Sequence, residues 1–292
     1  MRRFKELVIE RSMLLSALAT IAVTVGIVLV LAIEAVRFFS EVSIIEFLTD
    51  TQWTPLFTDK HYGILPLLSG TLLTSFIAII VALPIGLTIS IYLSEYAPRS
   101  FRKSIKPLLE LLAAIPTVVY GFFALIVVTP FLQQIIPDLS GFNSLSAGIV
   151  MGIMIIPFVS SISEDALYAV PATLREASFG MGATRLQTAF KVVVPAASSG
   201  IIVSVILAIS RAIGETMIVA IAAGQQPRFT FDPTVPVETI TAYIVQVSLG
   251  DVEHGSIEYR TIFAAGITLF VFTFLLNTLS YRIRKKYQER YE

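Results

Sequence analysis

Residues 200–223 read GIIVSVILAISRAIGETMIVAIAA, twenty-four residues in which Arg211 and Glu215 are the only charges. The run has the length of a bilayer-crossing helix, for which about 20 apolar residues suffice. The rest of the chain has the same character. Of its 292 residues, 55% are hydrophobic and 14% charged, against about 25% charged in ordinary soluble domains. One soluble core cannot hide that much apolar surface, so the chain reads as an all-α integral membrane protein. Five further uncharged runs, 12–33, 70–93, 111–132, 145–162 and 261–281, bring the expected spans to six. Pro84 and Gly86 are a plausible kink in the second.

With six spans both termini share one side, and the lysines and arginines say which. Cytoplasmic segments are enriched in them. The N-terminus, the second and fourth loops and the tail carry sixteen, among them Arg2, Arg3, Lys106, Arg175, Lys191, Lys286 and Arg290. The opposite loops carry four: Arg37, Lys60, Arg228 and Arg260. Both termini are therefore expected in the cytoplasm, with the chain a single membrane domain over 1–292 and a cytoplasmic loop at about 163–199. The first run has 22 uncharged residues, longer than the roughly 7–15 of a secretory h-region, and is read as a retained helix.

Composition also excludes. Basic and acidic residues number 21 each, so no net field invites nucleic acid. Cysteine is absent and the histidines, His61 and His254, are far apart in sequence, so no metal site is expected. No Gly-Lys dipeptide occurs, and a P-loop requires one. The chain is not expected to be an enzyme or to hold a cofactor.

The loop from Val170 to Gly200, VPATLREASFGMGATRLQTAFKVVVPAASSG, contains two capping-box patterns, Thr173 with Glu176 and Thr184 with Gln187, separated by Gly180 and Gly182. Two short helices meeting at a glycine corner are expected. Glu176-Ala177-Ser178, then Gly182 after three residues and Val192-x-Val194-Pro195 after nine more, resembles the EAA motif of binding-protein-dependent ABC importer permeases. Ser178 stands for the third alanine, and valines stand for isoleucine and leucine. The resemblance implies a type I ABC-importer permease fold. It also implies that Thr173, Glu176, Ala177, Gly182 and Thr184 belong to a coupling contact with a cytoplasmic ATPase.

YGILPLLSGTLLTS at Tyr62–Ser75, ISIYLSEYAPRSFRK beyond it, AAIPTVVYGFF at Ala113–Phe123 and SRAIGETM at Ser210–Met217 resemble permeases of phosphate ABC importers, in particular the C-type subunit. That family implies uptake of inorganic phosphate through the inner (cytoplasmic) membrane. Its partners would be an A-type permease subunit, two ATPase copies holding ATP and magnesium, an extracytoplasmic phosphate-binding protein and membrane lipid.

Arg211 lies about 18 Å into the fifth run at 1.5 Å per residue, near mid-membrane. A lipid-facing charge there costs about 2.5–3.5 kcal/mol on insertion scales, so both charges must face protein or water. At a separation of four they can pair on one helix face. On the functional reading Arg211 offers forked donors to an oxyanion, Glu215 accepts the proton that phosphate retains and sulfate lacks, and Thr216 adds a hydroxyl. The rival readings are a purely structural ion pair, a permease for another oxyanion such as sulfate or molybdate, and a proton-coupled secondary transporter using Glu215. In the outer loops, Trp53 is expected as an interfacial anchor, and Asp232, Glu238, Asp251, Glu253 and Glu258 as a solvated acidic face.

Overall fold

A computed structural model describes residues 2–287, with side chains placed for 6, 8–279, 281 and 282; Arg290 of the basic tail lies outside them. The described residues form α-helices joined by short loops, with one isolated bridge between Trp53 and Tyr62 and no strand. In order they are α1 (Arg2–Phe39), α2 (Ile44–Thr49), α3 (Leu65–Ile91), α4 (Arg99–Ala113), α5 (Thr117–Phe123), α6 (Thr129–Gln133), α7 (Ser144–Tyr168), α8 (Ala172–Gly180), α9 (Arg185–Thr188), α10 (Val194–Ala196), α11 (Ser198–Ile213), α12 (Met217–Ala222), α13 (Ile240–Leu249) and α14 (Ile257–Tyr287). Single π-turns at 92–96, 124–128 and 189–193 interrupt the pattern.

Among the described residues, four helices are long and apolar enough to cross a membrane, or six if each of two bent pairs is one span. The third run, 111–132, is not straight: α4 ends at Ala113, and the chain turns by 82° before continuing from Thr117 to Gln133. Pro116 causes this, because the residue before a proline is driven out of the helical region. A second bend, of 72°, separates the 185–196 segment from α11.

The centre of the molecule is α3 against α7. Gly148 and Gly152 let the helices approach, since a Cβ at Gly152 would lie 2.7 Å from Val81 Cβ and 2.8 Å from the Ala78 carbonyl oxygen. Lipid tails are as apolar as leucine, so such helices associate through close van der Waals packing between small residues. Hydroxyls in these helices donate back to carbonyls one turn earlier, Thr88 Oγ1 to Pro84 at 2.6 Å and Ser160 Oγ to Pro157 at 3.0 Å, which satisfies them inside an apolar setting. α1 packs on α14, with Leu31 against Gly266, and its apolar stretch is otherwise open to lipid.

The end of the bundle that carries the segments at 50–64 and 224–239 is closed by aromatics rather than anchored by one. Trp53 is 1% exposed, so its expected interfacial role is corrected. Its ring lies 5.0 Å from Tyr243 and 6.2 Å from Phe47, edge-to-face in both cases. The segment after α12 is also built in: Val237 N–H donates to Ala223, Ser69 Oγ to the Arg228 carbonyl and Leu145 N–H to Pro233. The acidic face is corrected at two positions. Glu238 is 2% exposed, and Glu258 pairs with Lys60 at 2.5 Å.

Candidate functional site

The fifth run is not one helix. α11 stops at Ile213, Gly214 caps it, and α12 restarts at Met217, leaving Glu215 and Thr216 on the break. The i,i+4 pairing expected of a continuous helix is therefore lost, and no ion pair joins Arg211 to Glu215. Glu215 is buried, 8% exposed, and its Oε1 accepts the Met217 N–H at 3.2 Å, so the carboxylate seals the start of α12. The Glu215 carbonyl accepts from Thr241 Oγ1 of α13 at 2.7 Å. Arg211, in the last turn of α11, is exposed and reaches, among the described residues, only Met154 Sδ of α7, at 3.7 Å. Thr216 Oγ1 donates to the Gly214 carbonyl at 3.4 Å, a backbone contact rather than a free donor.

The geometry thus separates the two charges. A buried acid is fixed by backbone amide and hydroxyl, and a guanidinium is held outward with most of its donors unused. An arginine so placed can bind an oxyanion bidentately.

At the other end of the bundle, the expected pair of short helices is present as α8 and α9. The Thr184–Gln187 capping box closes in both directions, at 3.3 and 2.9 Å. The Thr173–Glu176 box does not form and is corrected. Helix α8 begins at Ala172 with Pro171 at the N-cap, so Thr173 lies inside the first turn, exposed. The rigid proline, which lacks an N–H, takes the N-cap two residues earlier than the threonine pattern. Gly182 has φ +83°, and a Cβ added there would meet no atom within 4 Å, so it makes the corner by conformation alone. Glu176 and Ala177 are exposed on the same projection, beside Met181 at 89% exposure and Phe179.

Sequence reasoning missed the latch beneath this projection. Arg175 donates to Glu95 at 2.8 Å and to the Leu167 and Val170 carbonyls, pinning α8 to the ends of α7 and the second span. Arg102 and Lys106, read for orientation, also bind the buried Glu164 of α7, and Arg102 lies 3.8 Å over the Tyr168 ring. The spacing of charges in a single sequence carries no sign of these long-range pairs.

An all-helical bundle with a glycine-cornered projection and a broken charged span defines a class. The fold is that of ABC importer permeases. A chain of a bacterial alginate ABC transporter, solved with an alginate pentasaccharide-bound periplasmic protein, superposes with a TM-score of 0.62 at 21% identity, covering 95% of this chain and 97% of that one. Residues 82–291 match the family described as "Binding-protein-dependent transport system inner membrane component", and the chain belongs to that family. Relatives include the probable ABC transporter permease protein YqgH of Bacillus subtilis, 38% identical over 90% of this chain and 85% of its own length. The phosphate transport system permease protein PstC of Mesorhizobium japonicum is 37% identical over 80% of this chain and 76% of its own.

Proposed function

We propose that this chain is the C-type membrane subunit of an ATP-driven importer of inorganic phosphate. The observation that carries the reading is the broken fifth run: an exposed arginine inside an apolar stretch, unpaired with the buried glutamate four residues on. The names of relatives such as the PstC permease supply the anion. On this reading Arg211 draws phosphate across the low-dielectric step, and Glu215 accepts the hydrogen bond of the proton that phosphate keeps. A fully ionised anion meets only repulsion from that carboxylate. Thr216 lies on the same break.

The exposed projection bearing Thr173, Glu176, Ala177, Gly182 and Thr184 seats in a cytoplasmic ATPase, present in two copies that hold the ATP and magnesium. An A-type permease completes the channel wall, and an extracytoplasmic phosphate-binding protein delivers the ion. The sixteen-to-four bias of basic residues supports cytoplasmic termini.

The test is uptake of labelled phosphate by proteoliposomes containing the complete complex. Arg211→Gln is expected to abolish uptake while the ATPase still co-purifies. Unchanged uptake would return Arg211 and Glu215 to a structural role.

A further inference from the structure

One buried acid is used by nothing described so far. Glu238 lies in the segment between α12 and α13, outside the spans. It is 2% exposed, and its Oε1 has no hydrogen-bond partner among the described residues. It lines a cavity of about 280 Å³ at the aromatic-closed end of the bundle, walled by residues of both segments there. Arg228 is the other charged residue on that wall, and Gln225, Gln226 and Gln246 add amides.

We propose that this cavity is a receiving site for an oxyanion on its way inward, with the Glu238 carboxyl and the Arg228 guanidinium as its ligand-contacting groups. The proposal rests on the anion-import reading above and adds a second binding position to it.

Three observations support it. The first is the donor set. A guanidinium and several amides suit oxyanion oxygens and disfavour a cation. Burial pushes the Glu238 carboxyl up to about 8, so near neutrality it is a neutral O–H donor. Arg228 does not pair with it, and Tyr243 of α13 is the remaining titratable side chain on that wall.

The second is rigidity. A Cβ at Gly70 would lie 2.3 Å from the Glu238 carbonyl oxygen, so α3 supports this segment at direct backbone contact. The Ile240 N–H beside it donates to Thr71 Oγ1 at 3.0 Å. The third is position. Three residues further on, Thr241 holds the Glu215 carbonyl, so Glu238 stands within about 11 Å of chain from the break in the fifth span.

The sign of the pH effect follows. Below about pH 8 the neutral carboxyl donates to the anion; as pH rises through that value, the carboxylate forms and repels it.

Trp53 also lines the cavity and is the one tryptophan of the chain, which provides a reporter. Inorganic phosphate is titrated into the complete complex, and the emission of Trp53 is taken as the difference from a Trp53→Phe complex. The wild type is expected to show saturable quenching at pH 7, weakened at least about tenfold at pH 9, the loss of one charge-assisted hydrogen bond. Glu238→Gln keeps a donor that cannot ionise, so it is expected to lose the wild type's tenfold weakening and to show only the pH dependence of phosphate's own ionisation. Arg228→Gln, an exposed change, is expected to weaken binding about tenfold at both. An absent emission change in a complex that takes up phosphate overturns the receiving site alone. So does a Glu238→Gln profile that follows the wild type, or full affinity in Arg228→Gln. An intact emission change without uptake overturns the import reading and leaves the cavity an anion site.

Discussion

Arg211 and Glu215 illustrate how a single residue between two charges decides what they do. Gly214 ends α11 one position before the glutamate, and Glu215 then finds an amide donor at Met217 instead of the guanidinium. The Glu215 side chain accepts one backbone amide in place of the guanidinium, and on the proposed reading Arg211 is thereby left to serve the anion. Glu215→Gln is expected to preserve assembly, because the amide oxygen can still accept from Met217. It is expected to raise sulfate uptake relative to phosphate by about tenfold, the worth of one lost charge repulsion in a narrow site. Competition uptake measures this, and unchanged selectivity would remove Glu215 from discrimination. That two charges stand inside an apolar run was legible. Their separation was not, although Gly214 is the kind of residue at which helices stop. Glu238 was illegible for a different reason: nothing in its neighbours along the chain reveals that α3 and Trp53 cover it.

Among elements, the projection of α8 and α9 shows which signals survive folding. The Thr184 box formed because nothing competes with it, whereas the Thr173 box lost to Pro171, and the distinction is local chemistry that the sequence contained. The Gly182 corner was also readable, since two glycines between helical patterns point to a left-handed residue. Gly182→Val forces a β-branched side chain to φ +83°, at a cost of about 1–2 kcal/mol. Its Cβ meets nothing, so the strain is conformational and the membrane core is unaffected. The expected outcome is a permease that inserts and folds normally but retains less ATPase on co-purification, with transport falling in proportion. Wild-type ATPase binding in this variant would show that the corner is not part of the coupling contact. The latch of Arg175 on Glu95 lay beyond prediction because its partners are separated by 80 residues.

Over the whole molecule, the helical class was legible, because a bilayer demands long apolar runs; that two of those runs are bent or broken was not. The bends were not read: Pro116, at the 82° turn of the third run, stands inside an uncharged stretch that reads as one span. The packing of α3 on α7 rests on glycines whose role no periodicity reveals. Gly152→Leu would place side-chain atoms where Val81 and the Ala78 carbonyl already lie, separating the two helices at the centre of the bundle. Overpacking typically costs about 1–3 kcal/mol. A lower thermal transition in detergent is expected, along with loss of the partner permease. An unchanged transition would mean that the two helices can slide apart without cost. The same arrangement also dictates an order of biosynthesis. Helix α1 touches Phe47 and Tyr62 through Phe38 soon after it emerges. The helix that lies along it, however, is α14, about 220 residues later. At roughly 5–20 residues per second of translation, α1 waits about 10–40 s in the bilayer or in the insertion machinery before its neighbour arrives. The seam between the first and last spans therefore closes last, and a ribosome stalled short of Ile257 leaves a nascent permease with an open flank for quality-control proteases to find.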